Sequence, residues 1–213
     1  FLFIIIIASI DLRFYKLSET FREYDDSFMY SLHKSAIEDK KVLLDFGITK
    51  KEIKIELNTI KNLEYSIFLP LYIAYGSTYP PGQYLFLPLV LNKKDDFKDT
   101  IFKTRMLSAL FSILTLFVFV KLLIEFENKI NWAIIFSSSL FAFSLNSILY
   151  SHHGGVYSSS CFATMCGIWL LVRISNQKLS TYNANILNTL LLYFSYLNIL
   201  LFIPILFLSF KSE

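Results

Sequence analysis

Long apolar runs, separated by short polar links, fill the second half of this 213-residue chain. A helix that crosses a bilayer needs about 20 consecutive apolar residues, so these runs predict membrane-spanning helices. The predicted spans are Met106 to Ile124, Trp132 to Leu149, Val156 to Val172 and Ile186 to Phe210. The last one contains Asn198 and Pro204, which leaves open a break into two shallow half-spans.

The first apolar run, Phe1 to Ile10, is about half of that length. It has neither the basic flank nor the small-residue cleavage site of a signal peptide, so we interpret it as the stump of a first span. The predicted organisation is a shortened first helix at 1–10, an outer loop at 11–103 and a bundle of about four further spans at 104–213. Because the chain opens on Phe1 and stops directly after an apolar stretch, we expect it to be part of a longer protein.

The predicted outer loop carries its own patterns. Apolar side chains between Leu17 and Leu32 recur every three to four residues, which predicts a short helix lying on the membrane. Lys40 to Leu63 mixes charged residues with Ile at helical intervals and predicts a second amphipathic helix, with a small soluble subdomain as the alternative. Prolines and a glycine interrupt Tyr65 to Leu91, which favours a re-entrant or interfacial element.

Composition agrees with a membrane protein of the all-α class, built as a polytopic helical bundle. Hydrophobic residues make up 54% of the chain, and its mean hydropathy is +0.51, well above the balance of a soluble domain. The net charge of +3 comes without a basic stripe, so nucleic acid is excluded as a partner. Short links that carry Lys121, Lys129, Arg173 and Lys178 are expected in the cytoplasm, which puts 11–103 and the loop at His152 on the outer face.

Several residues could carry chemistry. Asp25 and Asp26 follow the first apolar run, and a carboxylate near an acceptor hydroxyl can take its proton during attack; their alternative role is that of solvated loop charges. Arg105 opens a span, where it can bind phosphate or anchor the helix at the lipid head groups. His152 and His153 are interpreted as a polar loop rather than a metal site, because adjacent histidines point apart.

Four motifs, taken in order, resemble the first third of GT-C glycosyltransferases of the protein O-mannosyltransferase and lipid A aminoarabinose transferase superfamily. They are Asp11-Leu12-Arg13-Phe14-Tyr15-Lys16-Leu17, Asp25-Asp26-Ser27-Phe28-Met29-Tyr30, Tyr79-Pro80-Pro81-Gly82-Gln83-Tyr84 and Arg105-Met106-Leu107-Ser108-Ala109-Leu110-Phe111. The resemblance extends through Ile148-Leu149-Tyr150-Ser151. It covers most of this chain but only the N-terminal part of the usual enzyme.

The resemblance implies transfer of a sugar, with inversion, from a polyprenyl-phosphate-linked donor to a glycan, lipid or protein acceptor on the outer (periplasmic or luminal) face. Asp25 would be the general base and Asp26 its supporting acid. Arg105 would stabilise the departing phosphate, with Arg22 as the second choice. The remaining residues expected to contact substrate are Tyr30, Tyr79, Pro80, Pro81, His152, His153 and Tyr157. No metal ligand is assigned, and a requirement for a divalent metal stays open.

The chain departs from the family pattern in two places. It has an Asp-Asp pair where many relatives have Asp-Glu, and its second outer loop offers His152, His153 and Tyr157 where relatives often carry an Arg or an acidic residue. These departures keep an alternative open: a non-catalytic polytopic protein, namely a transporter or an assembly subunit for surface polysaccharide. In either case the chain is in contact with membrane lipids.

Polar residues inside the predicted spans are expected to be structural. Asn146, Asn188 and Asn198 should face the bundle and form hydrogen bonds between helices, or line a groove for the carrier. Cys161 and Cys166 lie five residues apart in one span, a spacing that favours neither a disulfide nor a zinc site.

Overall fold

The structure is a computed structural model that describes residues 1–17, 41–45, 50–54, 82–91, 95–127 and 129–211, and this part of the chain is predominantly helical. The helices, in chain order, are α1 (Leu2–Phe14), α2 (Leu87–Val90), α3 (Phe97–Glu127), α4 (Trp132–Ala142), α5 (Leu145–Ser151), α6 (Tyr157–Ser175), α7 (Thr181–Leu192) and α8 (Phe202–Lys211). Short 3₁₀ helices at Gln83–Phe86 and Tyr196–Leu201 precede α2 and α8.

The longest helix, α3, has 31 residues and is therefore about 46 Å long, more than the hydrocarbon core of a bilayer. At its start the carboxylate of Asp96 accepts a hydrogen bond from the Asp99 N–H at 2.8 Å, which satisfies one of the free amides of the first turn. Both α3 and α6 are long and apolar enough to cross a membrane, which suggests a membrane protein. The predicted spans Met106 to Ile124 and Val156 to Val172 coincide with these two helices.

The predicted span from Trp132 to Leu149 is a bent pair. Helices α4 and α5 meet at an angle of 51°, and together they count as a third candidate span. Ser144 accounts for the break because its Oγ accepts a hydrogen bond from the Ser147 N–H at 3.3 Å and so begins a new helix. The same hydroxyl donates to the Phe141 carbonyl at 3.0 Å.

The prediction of one continuous span over Ile186 to Phe210 is wrong, and a break, the alternative that the sequence left open, is present at other residues than Asn198 and Pro204. Helix α7 ends at Leu192, and the chain turns through 193–195 into the 3₁₀ helix before α8. The turn lies near the start of α6, where the Ser160 hydroxyl donates to the Phe194 carbonyl at 2.8 Å. Near the end of α6, Ile174 packs with both Ala184 of α7 and Ile205 of α8. These contacts make α7 and α8 two arms of a helical hairpin that runs along α6 and back.

The second predicted amphipathic helix, Lys40 to Leu63, is also wrong where the structure describes it. Strands β1 (Lys41–Asp45) and β2 (Lys50–Lys54) form an antiparallel pair in which Val42 lies opposite Ile53. The predicted interfacial helix after Leu17 lies outside the described residues. So does most of the predicted element at Tyr65 to Leu91, apart from the turn and short helices at 82–91.

Helix α1 runs antiparallel to α3. Its first turns pack against a buried cluster that contains Leu116 and Val120 of α3, and its last residues approach Arg105 near the start of α3. The bundle therefore has two ends. The Arg105 end contains Leu17, Arg105, His152, Tyr157 and Phe194, and the Glu125 end contains Glu125, Trp132, Arg173 and Lys178.

Candidate functional site

Arg105 is buried inside the Arg105 end, with only 1% of its surface exposed. Its Nη1 donates a hydrogen bond to the Leu17 carbonyl at 2.8 Å. The guanidinium therefore connects the chain segment after α1 to α3. The sequence predicted an arginine at the outer end of a span, and in the structure this side chain points into the protein rather than out to the head groups.

His152 follows α5 and lies close to Arg105. Its Nε2 is 3.2 Å from the Leu12 carbonyl. Burial lowers the pKa of His152, and the positive charges of Arg105 and Arg13 also lower it, while the hydrogen bond to Leu12 acts in the opposite direction. The folded protein thus favours a neutral imidazole at neutral pH. This argues against His152 as a permanent cation for a phosphate.

His153 and Tyr157 contact each other instead of converging with His152 on one point. The His153 ring meets the Tyr157 ring edge-on, with 5.0 Å between centroids, and its Nδ1 accepts a hydrogen bond from the Gly155 N–H at 3.2 Å. Tyr157 also stacks on Tyr150 at 5.4 Å. The four residues therefore lie at the same end of the bundle. Arg105 lies near His152, and His153 pairs with Tyr157.

The other predicted site residues lie outside the described residues, and they are Arg22, Asp25, Asp26, Tyr30, Tyr79, Pro80 and Pro81. In the sequence, Asp25 comes eight residues after Leu17. Pro81 precedes Gly82, whose N–H donates to the Tyr193 carbonyl at 2.6 Å at the turn after α7.

Gln83 is a buried polar residue to which the sequence analysis gave no role. Its Nε2 donates to the Ser108 hydroxyl at 2.9 Å, and that hydroxyl in turn donates to the Gly155 carbonyl at 3.3 Å. Gln83 is 1% exposed, and its Oε1 has no hydrogen-bond partner among the described residues. These contacts connect the turn at Gly82, helix α3 at Ser108 and the loop that contains Gly155, close to Arg105 in the sequence of α3.

Arg13 is a second buried polar residue to which the sequence analysis gave no role. Its side chain is fully buried and connects α1, α3 and the break between α4 and α5. Nε donates to Ser112 Oγ at 2.8 Å, and Nη2 donates to Ser147 Oγ at 2.6 Å. Nη1 donates to the Ala142 carbonyl at 3.1 Å and also contacts Ser9. Arg13 therefore satisfies a carbonyl that the break sets free.

A cleft of about 230 Å³ opens directly beside these contacts. It lies between α3, the α4–α5 break and α6, and Ser112 and Ser147 form part of its wall. Its other lining residues are Thr115, Phe141, Ser144, Asn146, Tyr150, Tyr157, Ser158 and Cys161. Asn146, which was expected to face the bundle interior, is exposed in this cleft, whereas Asn188 and Asn198 are buried and hydrogen-bonded to each other as expected.

One signal for Arg13 was present in the sequence. An arginine three residues after an apolar run lies close to a membrane-spanning segment, where ionisable residues are costly and mark functional sites. The cleft itself had no such signal, because it depends on the break at Ser144, which looks like an ordinary small residue within an apolar run. Sequence reasoning can find such a residue but not the cleft beside it.

Within the described ranges, no three His, Cys, Asp or Glu side chains converge in a way that could hold a metal ion. The Arg105 end contains two buried guanidinium groups, those of Arg13 and Arg105, and guanidinium groups are suited to binding phosphate or carboxylate. Comparison of the chain with protein-family models, curated proteins and solved structures finds no match.

Proposed function

We propose that this chain is part of a multi-pass membrane glycosyltransferase that takes its sugar from a polyprenyl-phosphate donor. The observation that carries the proposal is the buried Arg105 guanidinium, bonded to the carbonyl of Leu17, eight residues before Asp25. A cation that is hydrogen-bonded to a residue eight positions before a carboxylate pair supports a site that handles a phosphate and a hydroxyl together. The active face would be the Arg105 end, on the outer side of the membrane.

In the proposed reaction, the Asp25 carboxylate takes the proton of an acceptor hydroxyl. The hydroxyl oxygen forms a bond to the anomeric carbon as the bond from that carbon to the phosphate oxygen breaks on the opposite face, so the configuration inverts. The polyprenyl phosphate leaves with the electron pair, and Arg105 stabilises its charge. Asp26 would hold Asp25 or the acceptor in position.

The test is transfer of labelled sugar from a panel of polyprenyl-phosphate donors by membranes that hold the full-length protein. We expect Asp25→Asn to lose about 10²- to 10⁴-fold in rate, the usual contribution of a general base. We expect Arg105→Gln to lose about 10²- to 10³-fold, the effect of removing one stabilising donor. Arg173→Gln at the Glu125 end is the matched control and should retain transfer. Unchanged transfer in both Asp25→Asn and Asp26→Asn would sink the proposal.

A second candidate is a non-catalytic polytopic protein, a transporter or an assembly subunit for surface polysaccharide. It is favoured by two interrupted helical elements, the 51° bend between α4 and α5 and the turn between α7 and α8, since transporters often bind substrate at broken helices. If the folded, inserted protein transfers no sugar from any donor, this candidate replaces the first. Uptake of the lipid-linked sugar into proteoliposomes would then test it.

A further inference from the structure

The cleft beside Arg13 has a positively charged floor. The guanidinium lies directly behind Ser112 and Ser147, both of which line the cleft. In the described part of the chain, no carboxylate forms an ion pair with Arg13, and its hydrogen-bond partners there are all hydroxyls and carbonyls. Because an arginine stays protonated in proteins, the floor keeps its positive charge.

The direction of these hydrogen bonds leaves a donor facing the cleft. A guanidinium only donates, so the Ser112 and Ser147 hydroxyls accept from Arg13 through their oxygens. The Ser112 proton points to the Ser147 carbonyl at 3.4 Å, whereas no described residue accepts the proton of Ser147. A hydroxyl that accepts from a cation is polarised and donates more strongly. Ser147 therefore offers the cleft a strong O–H donor next to the exposed amide of Asn146.

The walls of the cleft suit an amphiphile rather than a small soluble anion. Tyr150 and Tyr157 stack at its rim, and tyrosines favour the head-group level of a membrane. Ser112 lies seven residues along α3 from Arg105, which puts the polar floor about 10 Å further towards the Glu125 end. Phe141 and Cys161 extend the lining with apolar surface.

We propose that this cleft binds a phospholipid with an anionic head group. The phosphate accepts hydrogen bonds from Ser147 Oγ and Asn146 Nδ2 and is attracted by the charge of Arg13, while an acyl chain lies along Phe141 and Cys161. The charge of the floor selects an anionic over a zwitterionic head group. The proposal does not rest on sugar transfer, so a failure of one leaves the other standing.

The test is lipid retention by the delipidated full-length protein in detergent, measured by native mass spectrometry. The protein is titrated separately with phosphatidylglycerol, phosphatidylcholine and inorganic phosphate. We expect preferential retention of phosphatidylglycerol. Ser147→Ala should weaken that affinity about tenfold, because it removes a hydrogen bond to a charged group. Ser139→Ala is the matched control, since Ser139 donates within its own helix to the Ile135 carbonyl at 2.7 Å.

Arg13 variants test the charge separately from the hydroxyl. Arg13→Lys keeps the charge and should keep the preference for phosphatidylglycerol, whereas Arg13→Gln should lose it. If Arg13→Gln fails to fold, the Ser147→Ala result decides. Equal retention of the two lipids, or an unchanged affinity in Ser147→Ala, would overturn the proposal. Displacement of phosphatidylglycerol by an equal concentration of inorganic phosphate would assign the site to a soluble anion and would overturn it too.

Discussion

The imidazole of His152 follows α5, contacts the end of α1 and lies near the positive charges of Arg105 and Arg13. Its Nε2 lies 3.2 Å from the Leu12 carbonyl at the end of α1, and Arg105 and Arg13 act on it electrostatically. Burial is the main reason that its pKa is lowered, since the charged form loses water. The neutral tautomer with a proton on Nε2 can already donate to the Leu12 carbonyl, so the uncharged form keeps this hydrogen bond while avoiding the cost of burying a charge beside two cations.

The stability of the fold should therefore depend on pH through His152. The unfolded chain binds a proton near pH 6.5, and the folded chain binds it only at lower pH, so the unfolded state holds more protons in between. The contribution of His152 is fully present above about pH 6.5 and is lost as the pH falls from there through the lower pKa of the folded state. We expect the midpoint of thermal unfolding, measured in detergent by static light scattering or fluorescence, to drop between pH 7.5 and 5.5.

In His152→Gln, the part of the pH dependence of the unfolding midpoint that comes from His152 should disappear, because an amide does not titrate. His153→Gln is the matched control, since a pH dependence caused by His152 should be unchanged in this variant. An equal slope in wild type and His152→Gln would show that other groups cause it.

At the scale of elements, Gly167 sets how closely the α7–α8 hairpin approaches α6. A Cβ at this position would lie 2.2 Å from the Leu201 side chain and 2.9 Å from Asn198 Nδ2. That amide donates to the Ala163 carbonyl at 3.0 Å and to Asn188 Oδ1 at 3.2 Å. A small residue on one helix thus allows a buried amide cluster to join three helical segments, as is common between membrane helices.

We expect Gly167→Ala to lower the free energy of unfolding by roughly 1–3 kcal/mol, the usual cost of overpacking. The reason is that the added methyl group would press on Leu201 and on Asn198 Nδ2, which forms hydrogen bonds to Ala163 and Asn188. Denaturant or thermal unfolding in detergent measures the loss. Ile168→Ala, at an exposed position on the same helix, is the control. If that substitution costs more than Gly167→Ala, close packing at Gly167 is not what holds the hairpin.

The helices, turns and strands also show which structural features can be predicted from the sequence. Helices α3 and α6 were predicted because their apolar runs are long and uninterrupted. The turn after α7 was not, since Asn198 and Pro204 drew attention to the wrong residues: both lie in helical segments, and the chain turns at 193–195. A helix was predicted where the structure has strands β1 and β2. A few apolar residues spaced among charges fit both the period of a helix and the period of a strand.

The candidate site divides in a similar way. Arg105 was predicted from its motif to contact substrate; the structure shows that it is buried at one end of the bundle, and its role stays a prediction. Arg13 and Gln83 lie in motifs that the sequence analysis quoted, but their importance comes from contacts with residues far along the chain, such as Ser147 and Gly155. Pattern and spacing report on neighbours in sequence, so contacts of this kind require the tertiary structure.

For the whole molecule, the two ends have different chemistry. At the Glu125 end, Lys178 and Arg173 lie 2.5 Å and 3.6 Å from the Glu125 carboxylate, and Arg173 also lies over the Trp169 ring at 5.3 Å. These are partly exposed pairs, and each contributes little to stability. At the Arg105 end, by contrast, the two arginines Arg13 and Arg105 are buried. Basic residues in the short links at the Glu125 end favour the cytoplasmic side for that end.

The hairpin makes a topological prediction that a single span would contradict. Since α7 and α8 both pack near Ile174 and turn near Ser160, residues before α7 and after α8 should lie on the same side of the membrane. In a background of Cys161→Ala and Cys166→Ala, we expect Lys178→Cys and Lys211→Cys to react with an impermeant maleimide from one side of sealed vesicles. His153→Cys, at the Arg105 end, should react from the other side and serves as the control. Labelling of 178 and 211 from opposite sides would mean that 181–211 crosses the membrane once, because only a full crossing separates the two ends of that segment.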